Sequence, residues 1–311
     1  MKLIHGRKTK RCVLSLVGVF LALFLLRPDC LPSIQISWSQ SESDDGLVEP
    51  GWEDLRIFCL VLTQPKRKMS HAIPIKKTWG RKCNQLLFVS TKEDEELPSI
   101  GVTAKGESRE ILWQKSREAW QYIHDHHRDG FDWYIRTDDD AYVVMENLRY
   151  FLASKKKEDL IAYGYKFKRK GSGAYFSGGP GYVMTRPAMI QMVTQALPMK
   201  NNSCLPSGGQ FEDWKMGQCL ENVGVTLGDD RDVEGRSRFF PLNVGGHIMF
   251  GANPPIGPWS NLTWFEKITF YPPRLGFQCC SPSGISTHYA NGYQMYLLEY
   301  AIYHLRIYRM D

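Results

Sequence analysis

The chain has 311 residues, 43% of them hydrophobic and 23% charged, with a formal net charge of +6. This ordinary globular composition gives one sizeable core or two small ones and excludes a disordered or fibrous chain. The charge is mild and partly confined to Lys2, Arg7, Lys8, Lys10 and Arg11, so it gives a nucleic-acid partner no support.

The basic residues precede an uncharged apolar stretch, Cys12 to Leu26, that Arg27-Pro28 ends. It reads as a membrane-targeting segment. Fifteen residues span roughly 22 Å as a helix, less than an average hydrocarbon core of about 30 Å. A cleaved signal peptide competes with an uncleaved anchor, but no small-x-small cleavage site follows. The expectation is a type II protein: residues 1–11 cytosolic, 12–26 the signal anchor, 27–54 a Ser, Asp, Glu and Pro-rich stem, and 55–311 a single luminal domain. Cys59, Cys83, Cys204, Cys219, Cys279 and Cys280 form no CxxC zinc pattern and suit an oxidising compartment. The local pairs Cys59–Cys83 and Cys204–Cys219 are expected, although sequence alone does not fix connectivity. Adjacent Cys279 and Cys280 cannot both enter long-range bridges easily. Asn201-Asn202-Ser203 and Asn261-Leu262-Thr263 are glycosylation sequons.

Arg56 to Leu62 and Gln85 to Ser90 are apolar runs of strand length, and the basic stretch Lys66 to Trp79 between them reads as a helix. Strand, helix, strand opens a mostly parallel α/β sheet flanked by helices. Ser108 to His126 carries Ile111, Leu112, Lys115, Ala119, Tyr122 and Ile123 at helical spacing. His124, His126 and His127 end that helix, where they meet its C-terminal dipole and need no metal. A further apolar run, Phe131 to Ile135, leads into Asp138-Asp139-Asp140. Helix at 147–152, strand at 160–165, a tight loop Ser177 to Gly181, strand at 182–184 and helix at 186–196 follow. No internal repeat is visible.

A strand that ends in three carboxylates places negative charge at the carboxyl edge of a sheet, where α/β folds bind ligands. Crowded carboxylates repel unless a cation sits among them, and hard oxygen ligands suit Mg²⁺ or Mn²⁺. A solvated acidic turn is the competing reading. Ser177 to Gly181 lacks both phosphate-loop spacings, so its glycines read instead as a close backbone approach. Glu212-Asp213 stands at a helix start, where Asp caps, or serves as the general base that a sugar hydroxyl needs. His288 lies in an alternating, strand-like stretch and offers an imidazole to an oxygen-rich cation site.

Taken in order, Trp79-Gly80-Arg81-Lys82-Cys83-Asn84, Asp132-Trp133 through Asp138-Asp139-Asp140, Ser177-Gly178-Gly179, Glu212-Asp213, Gly228 to Asp232, Cys279-Cys280-Ser281 and His288-Tyr289 resemble the core 1 β1,3-galactosyltransferases. The resemblance covers nearly all of 55–306. It implies a GT-A fold, a single-pass type II Golgi membrane location, and inverting, Mn²⁺-dependent transfer of galactose. The donor would be UDP-galactose and the acceptor N-acetylgalactosamine on Ser or Thr of a glycoprotein. Carried over residue by residue, it implies Asp138, Asp140 and His288 as metal ligands and Asp213 as the base. Glu107, Arg109, Asp138, Trp264 and Tyr289 would hold the donor. Homodimerisation is a further expectation.

The chain departs from the family's usual pattern with Arg136-Thr137 before the triplet in place of Lys-Ala, and Ala141 after it in place of Thr. Pro180 replaces Ala within the glycine loop, Gly245-Gly246-His247 stands where Glu-His-His is usual, and an aromatic is replaced near Glu266. These changes leave acceptor identity open. A related β1,3-transferase with another UDP-sugar, and a chaperone-like partner of a transferase, are the alternatives.

Overall fold

In a computed structural model, residues 52–308 are described, apart from 103–105, 170–172, 200–203, 205–210, 253–254, 256–257 and 259–262. The expected tail, anchor, nearly all of the stem, and both sequon asparagines lie outside the described residues. Among the described residues no helix is long and apolar enough to cross a membrane.

The apolar runs become the central strands. Ile57–Leu62 forms β1, Ile73–Lys77 α1, Gln85–Ser90 β2, Ser99–Gly101 β3 and Leu112–His127 α2. Trp133–Asp138 forms β4, Tyr142–Val143 β5, Met145–Ala153 α3, Ile161–Gly164 β6, Lys166–Lys168 β7 and Ala174–Phe176 β8. Tyr182–Thr185 forms β9, Arg186–Gln191 α4, Glu212–Asn222 α5, Thr226–Leu227 β10, Phe239–Phe240 β11 and Val244–Met249 α6. Thr263–Ile268 forms α7, Ser286–Thr287 β12 and Gly292–Tyr303 α8.

The main sheet has the order β10-β6-β9-β4-β1-β2-β3. Its pairings are parallel except where β9 runs antiparallel between β4 and β6. Both faces are covered. Along β1, Ile57, Cys59 and Val61 enter one apolar cluster while Phe58, Leu60 and Leu62 enter the other, as the two-residue period of a doubly buried strand requires. The register pairs Leu62 with Asp138, so both central strands end at one edge. A smaller sheet, β11-β12-β5, is not visible in the sequence patterns and carries His288 to that same edge.

One element differs from expectation. Residues 66–79 do not form a single helix: a 3₁₀ turn at Pro65–Arg67, a wide turn at Lys68–Ala72 and the short α1 are followed by a 3₁₀ turn at Trp79–Lys82. Pro74 lacks an N–H, and Thr78 leaves helical geometry at φ −109°, ψ −114°. The expected pairs Cys59–Cys83 and Cys204–Cys219 are both present, and Cys279 bonds to its neighbour Cys280. His124, His126 and His127 lie in the last turn of α2, as expected. Trp52–Asp54, assigned to the stem, forms a 3₁₀ turn.

Candidate active site

The acidic triplet is a turn fastened from several sides. β4 ends at Asp138, whose N–H donates to Gly179 O at 3.4 Å. Trp79 Nε1 donates to Ala141 O at 3.1 Å, and Ala290 N–H to Asp140 O at 2.8 Å. Ala290 lies two residues beyond His288, so the same backbone bond brings the histidine to the carboxylates. The three carboxyl groups then take different partners. Asp139 is buried, accepts from Thr63 Oγ1 at 2.7 Å and shares Arg67 with Asp140. Burial pushes its carboxyl up to about 7, against the pull of Arg67 and Thr63.

Asp138, Asp140 and His288 instead converge, with one ligand atom from each lying within 4.8 Å of the others. His288 Nε2 is 3.1 Å from Asp140 Oδ1 and 4.0 Å from Asp138 Oδ2. Its Nδ1 lies 3.2 Å from Pro241 O, which can only accept, so Nδ1 carries a hydrogen there and Nε2 is the ring nitrogen turned to the carboxylates. Two carboxylates and an imidazole so oriented fit Mn²⁺ or Mg²⁺ in charge and donor type. Burial works against charge on both Asp140 and His288. Their mutual contact, joined by Arg67, nevertheless lowers Asp140 to about 2 and raises His288.

Around this triple lies a cavity of about 420 Å³, lined by Lys66, Arg67, Glu107, Arg109 and Lys115 together with the triplet, His288 and Tyr289. Arg67 Nη2 sits 3.2 Å from Asp139 Oδ1 and 3.3 Å from Asp140 Oδ2. Lys115 is buried, donates to Thr63 O and meets Glu107 Oε2 at 3.0 Å. Burial pushes its ammonium down, against Glu107. Glu107 also accepts from Thr91 N–H at 3.1 Å, so it orders the cavity wall. Tyr289 holds φ +56°, an uncommon backbone state for a residue with a side chain, and stacks on His288 with ring centroids 4.0 Å apart.

A second cavity of about 260 Å³ shares Arg109, Leu112 and Asp138 with the first and is completed by Arg136, Gly178, Gly179, Phe211, Glu212 and Asp213. Asp213 is in the first turn of α5. Its Oδ1 accepts from Trp214 N–H at 2.8 Å, and its Oδ2 lies 3.5 Å from Gly178 N. Burial pushes its carboxyl up, with those bonds and Arg136 opposing. The glycine loop makes the close approach expected of it. A Cβ on Gly179 would fall 2.1 Å from the His288 ring, so only glycine lets the loop pass the imidazole.

The fold thus gathers Glu107, Arg109, Asp138, Asp140, Asp213, His288 and Tyr289 around two adjoining cavities. It does not gather Trp264, which stands on α7 with 47% of its surface exposed, edge-on to Phe265, and lines neither cavity. The sequence gives Arg67 and Lys115 no site role, and it marks Glu212 only as the neighbour of Asp213 at a helix start. Lys115 had a signal, since it sits on the apolar face of an amphipathic helix. Arg136 had one too, as a charge inside a buried strand. His247, where the family's Glu-His-His segment is altered, is buried away from the site and accepts from Leu242 N–H at Nε2.

A sequence profile of the Fringe-like family matches residues 53–230. The chain is 35% identical over 278 residues to glycoprotein-N-acetylgalactosamine 3-beta-galactosyltransferase 1 of Xenopus laevis, covering 89% of this chain and 74% of that protein. It is 26% identical over 189 residues to chondroitin sulfate synthase 3 of Homo sapiens, covering 55% of this chain and 21% of that protein. Among solved structures, GalNAc-T7 with UDP, GalNAc and Mn²⁺ aligns at 12% identity with a TM-score of 0.38, over 68% of this chain and 53% of the other. The profile spans more than half of the chain, and the Xenopus relative is matched over most of both lengths. On those two matches the chain belongs to the Fringe-like family and to the core 1 β1,3-galactosyltransferases, and it is a glycosyltransferase.

Proposed function

We propose that the chain is an inverting transferase of GT-A type that moves galactose from UDP-galactose to the 3-OH of N-acetylgalactosamine on Ser or Thr of a glycoprotein. The observation that carries this reading is the convergence of Asp138, Asp140 and His288 beside a cavity edged by Lys66, Arg67 and Arg109, with Asp213 in the adjoining cavity. Asp138, Asp140 and His288 would hold Mn²⁺. When bound, the ion neutralises the charge that develops on a departing diphosphate. Lys66, Arg67 and Arg109 add positive charge in the same cavity, and Tyr289 and Glu107 shape its walls. Asp213 takes the proton of the acceptor hydroxyl. Its raised carboxyl lies closer to the working pH than an ordinary aspartate and is the better base for that reason.

The hydroxyl oxygen forms a bond to the anomeric carbon as the bond from that carbon to the β-phosphate oxygen breaks. The electron pair leaves with UDP and the proton ends on Asp213. One such in-line displacement inverts the carbon and needs no enzyme nucleophile. Location in the Golgi membrane through residues 12–26 belongs to the same proposal, and the three disulfides favour an oxidising compartment. The test is incubation of the detergent-solubilised full chain with a GalNAc-peptide, Mn²⁺ and each of several UDP-sugars, followed by linkage analysis. Galactose in β1,3 linkage is expected. Transfer of another sugar overturns the donor assignment, and release of no UDP in any arm overturns the enzymatic reading.

A further inference from the structure

We propose that Arg136 is a positioning residue that ties the metal-side carboxylate Asp138 to the base-bearing helix α5, so that a single buried guanidinium sets the geometry between the two halves of the site. This rests on the reading of Asp138 as a metal ligand and Asp213 as the base. Arg136 follows the apolar residues Trp133, Tyr134 and Ile135 in β4 and is buried with them. The two-residue period of β4 turns its side chain to the same face as Asp138. Its Nη1 lies 3.0 Å from Asp138 Oδ1 and donates to Gly178 O at 2.7 Å, while Nη2 lies 3.1 Å from Glu212 Oε2. Arg136 and Glu212 side chains are 1% and 2% exposed. The far oxygen of Glu212 accepts from Ser116 Oγ at 2.6 Å, with Tyr182 OH at 3.4 Å. Glu212 is therefore held against α2 and β9 and cannot follow the arginine freely.

Glu212 precedes Asp213 in the first turn of α5, so a shift of one carries the other. The planar fork of arginine presents two separate nitrogens, Nη1 and Nη2, to the two carboxylates at once. The loop is shaped around this fork, since a Cβ on Gly178 would stand 2.8 Å from Arg136 Nη1. A buried ionic cluster is rarely kept for stability, because apolar replacements of similar volume are often as stable or more so. Placed between a metal ligand and a base, its consequence is a fixed separation.

The test is Mn²⁺ binding, with the metal alone, to the solubilised full chain, measured by electron paramagnetic resonance for wild type, Glu212→Gln, Arg136→Met and the double variant. Glu212 is outside the ligand triple, yet Glu212→Gln is expected to raise the Mn²⁺ Kd roughly tenfold, the usual scale for a residue supporting a metal ligand. Arg136→Met is expected to raise it at least as much, and the double variant no further than Arg136→Met. In transfer assays kcat should fall in all three while the acceptor KM moves less than threefold. An unchanged Kd in Glu212→Gln, or effects that multiply in the double variant, overturns the strut. Arg136→Lys and Gly178→Ala, which keep the charge, give the same cycle with Glu212→Gln where Arg136→Met does not fold. Failure of the wild type to bind Mn²⁺, or binding undiminished in Asp140→Ala, overturns the metal reading itself and the strut with it.

Discussion

The two halves of the site hold similar charges in opposite ways. On the donor side, Arg67 lies on a short turn that lines the first cavity, its side chain 28% exposed, and pairs with Asp140, 20% exposed, as well as with Asp139, 4% exposed. On the acceptor side, Arg136 and Glu212 are almost wholly buried. A pair with solvent access costs less to break than one without. A buried one cannot lose a partner without stranding a charge. Under the proposed function, the donor half would suit an exchange of partners as nucleotide and metal arrive and leave, and the acceptor half the holding of one geometry.

The largest effect should come from removing what the donor half exchanges around. Asp140→Ala is expected to cut Mn²⁺-dependent transfer on the order of 10³-fold or more, because several kcal/mol of leaving-group stabilisation go with the ion. UDP release at near wild-type rate in that variant would dismiss the donor half as described. Asp213→Asn comes next, with kcat down about 10²- to 10⁴-fold, the range for loss of a general base, and Mn²⁺ affinity unchanged. A parallel loss of Mn²⁺ binding would erase the distinction between the halves. Arg67→Ala should be milder. It removes one charge-assisted contact of about 1.5–3 kcal/mol, so the UDP-sugar KM rises roughly tenfold or more, with kcat moving little. A collapse of kcat instead would show that Arg67 is fixed in the manner of Arg136.

The donor half was the more legible in sequence, and the reason is physical. Strands β1, β2 and β4 announce themselves as continuous apolar runs, and a carboxylate cluster at the end of such a run is a local pattern. The geometry of the acceptor half depends on which elements pack together. That β9 runs antiparallel beside β4 is invisible to a two-residue period, which carries no direction. That Arg136 meets Glu212 depends on 75 intervening residues folding first, so it read only as a departure from a familiar motif. The 66–79 segment failed for a nearer cause, since its basic residues and spacing suggested a helix while Pro65 and Pro74 set its breaks. Trp264 was placed by resemblance alone, and the fold leaves it on α7 away from both cavities.

The smallest effect concerns neither half and so isolates scaffold from site. His247 is buried among Phe240, Phe265 and Tyr165, and burial lowers its imidazole to about 3. An unfolded histidine titrates near 6.5, so between pH 6.5 and about 3 the unfolded chain binds a proton that the native chain refuses. Stability from this residue is complete above 6.5 and is lost as the pH falls, by at most about 1.4 kcal/mol per pH unit. Buried Asp230, pushed up to about 6, acts with the opposite sign, since it binds a proton more readily when folded. It is present in both proteins and cancels in a comparison. His247→Gln keeps an acceptor for Leu242 N–H but does not titrate. Its urea midpoint should therefore decline less than that of the wild type between pH 7 and 4.5, while Mn²⁺ affinity at pH 7 stays the same. Equal declines would show that His247 binds a proton as readily in the fold as out of it.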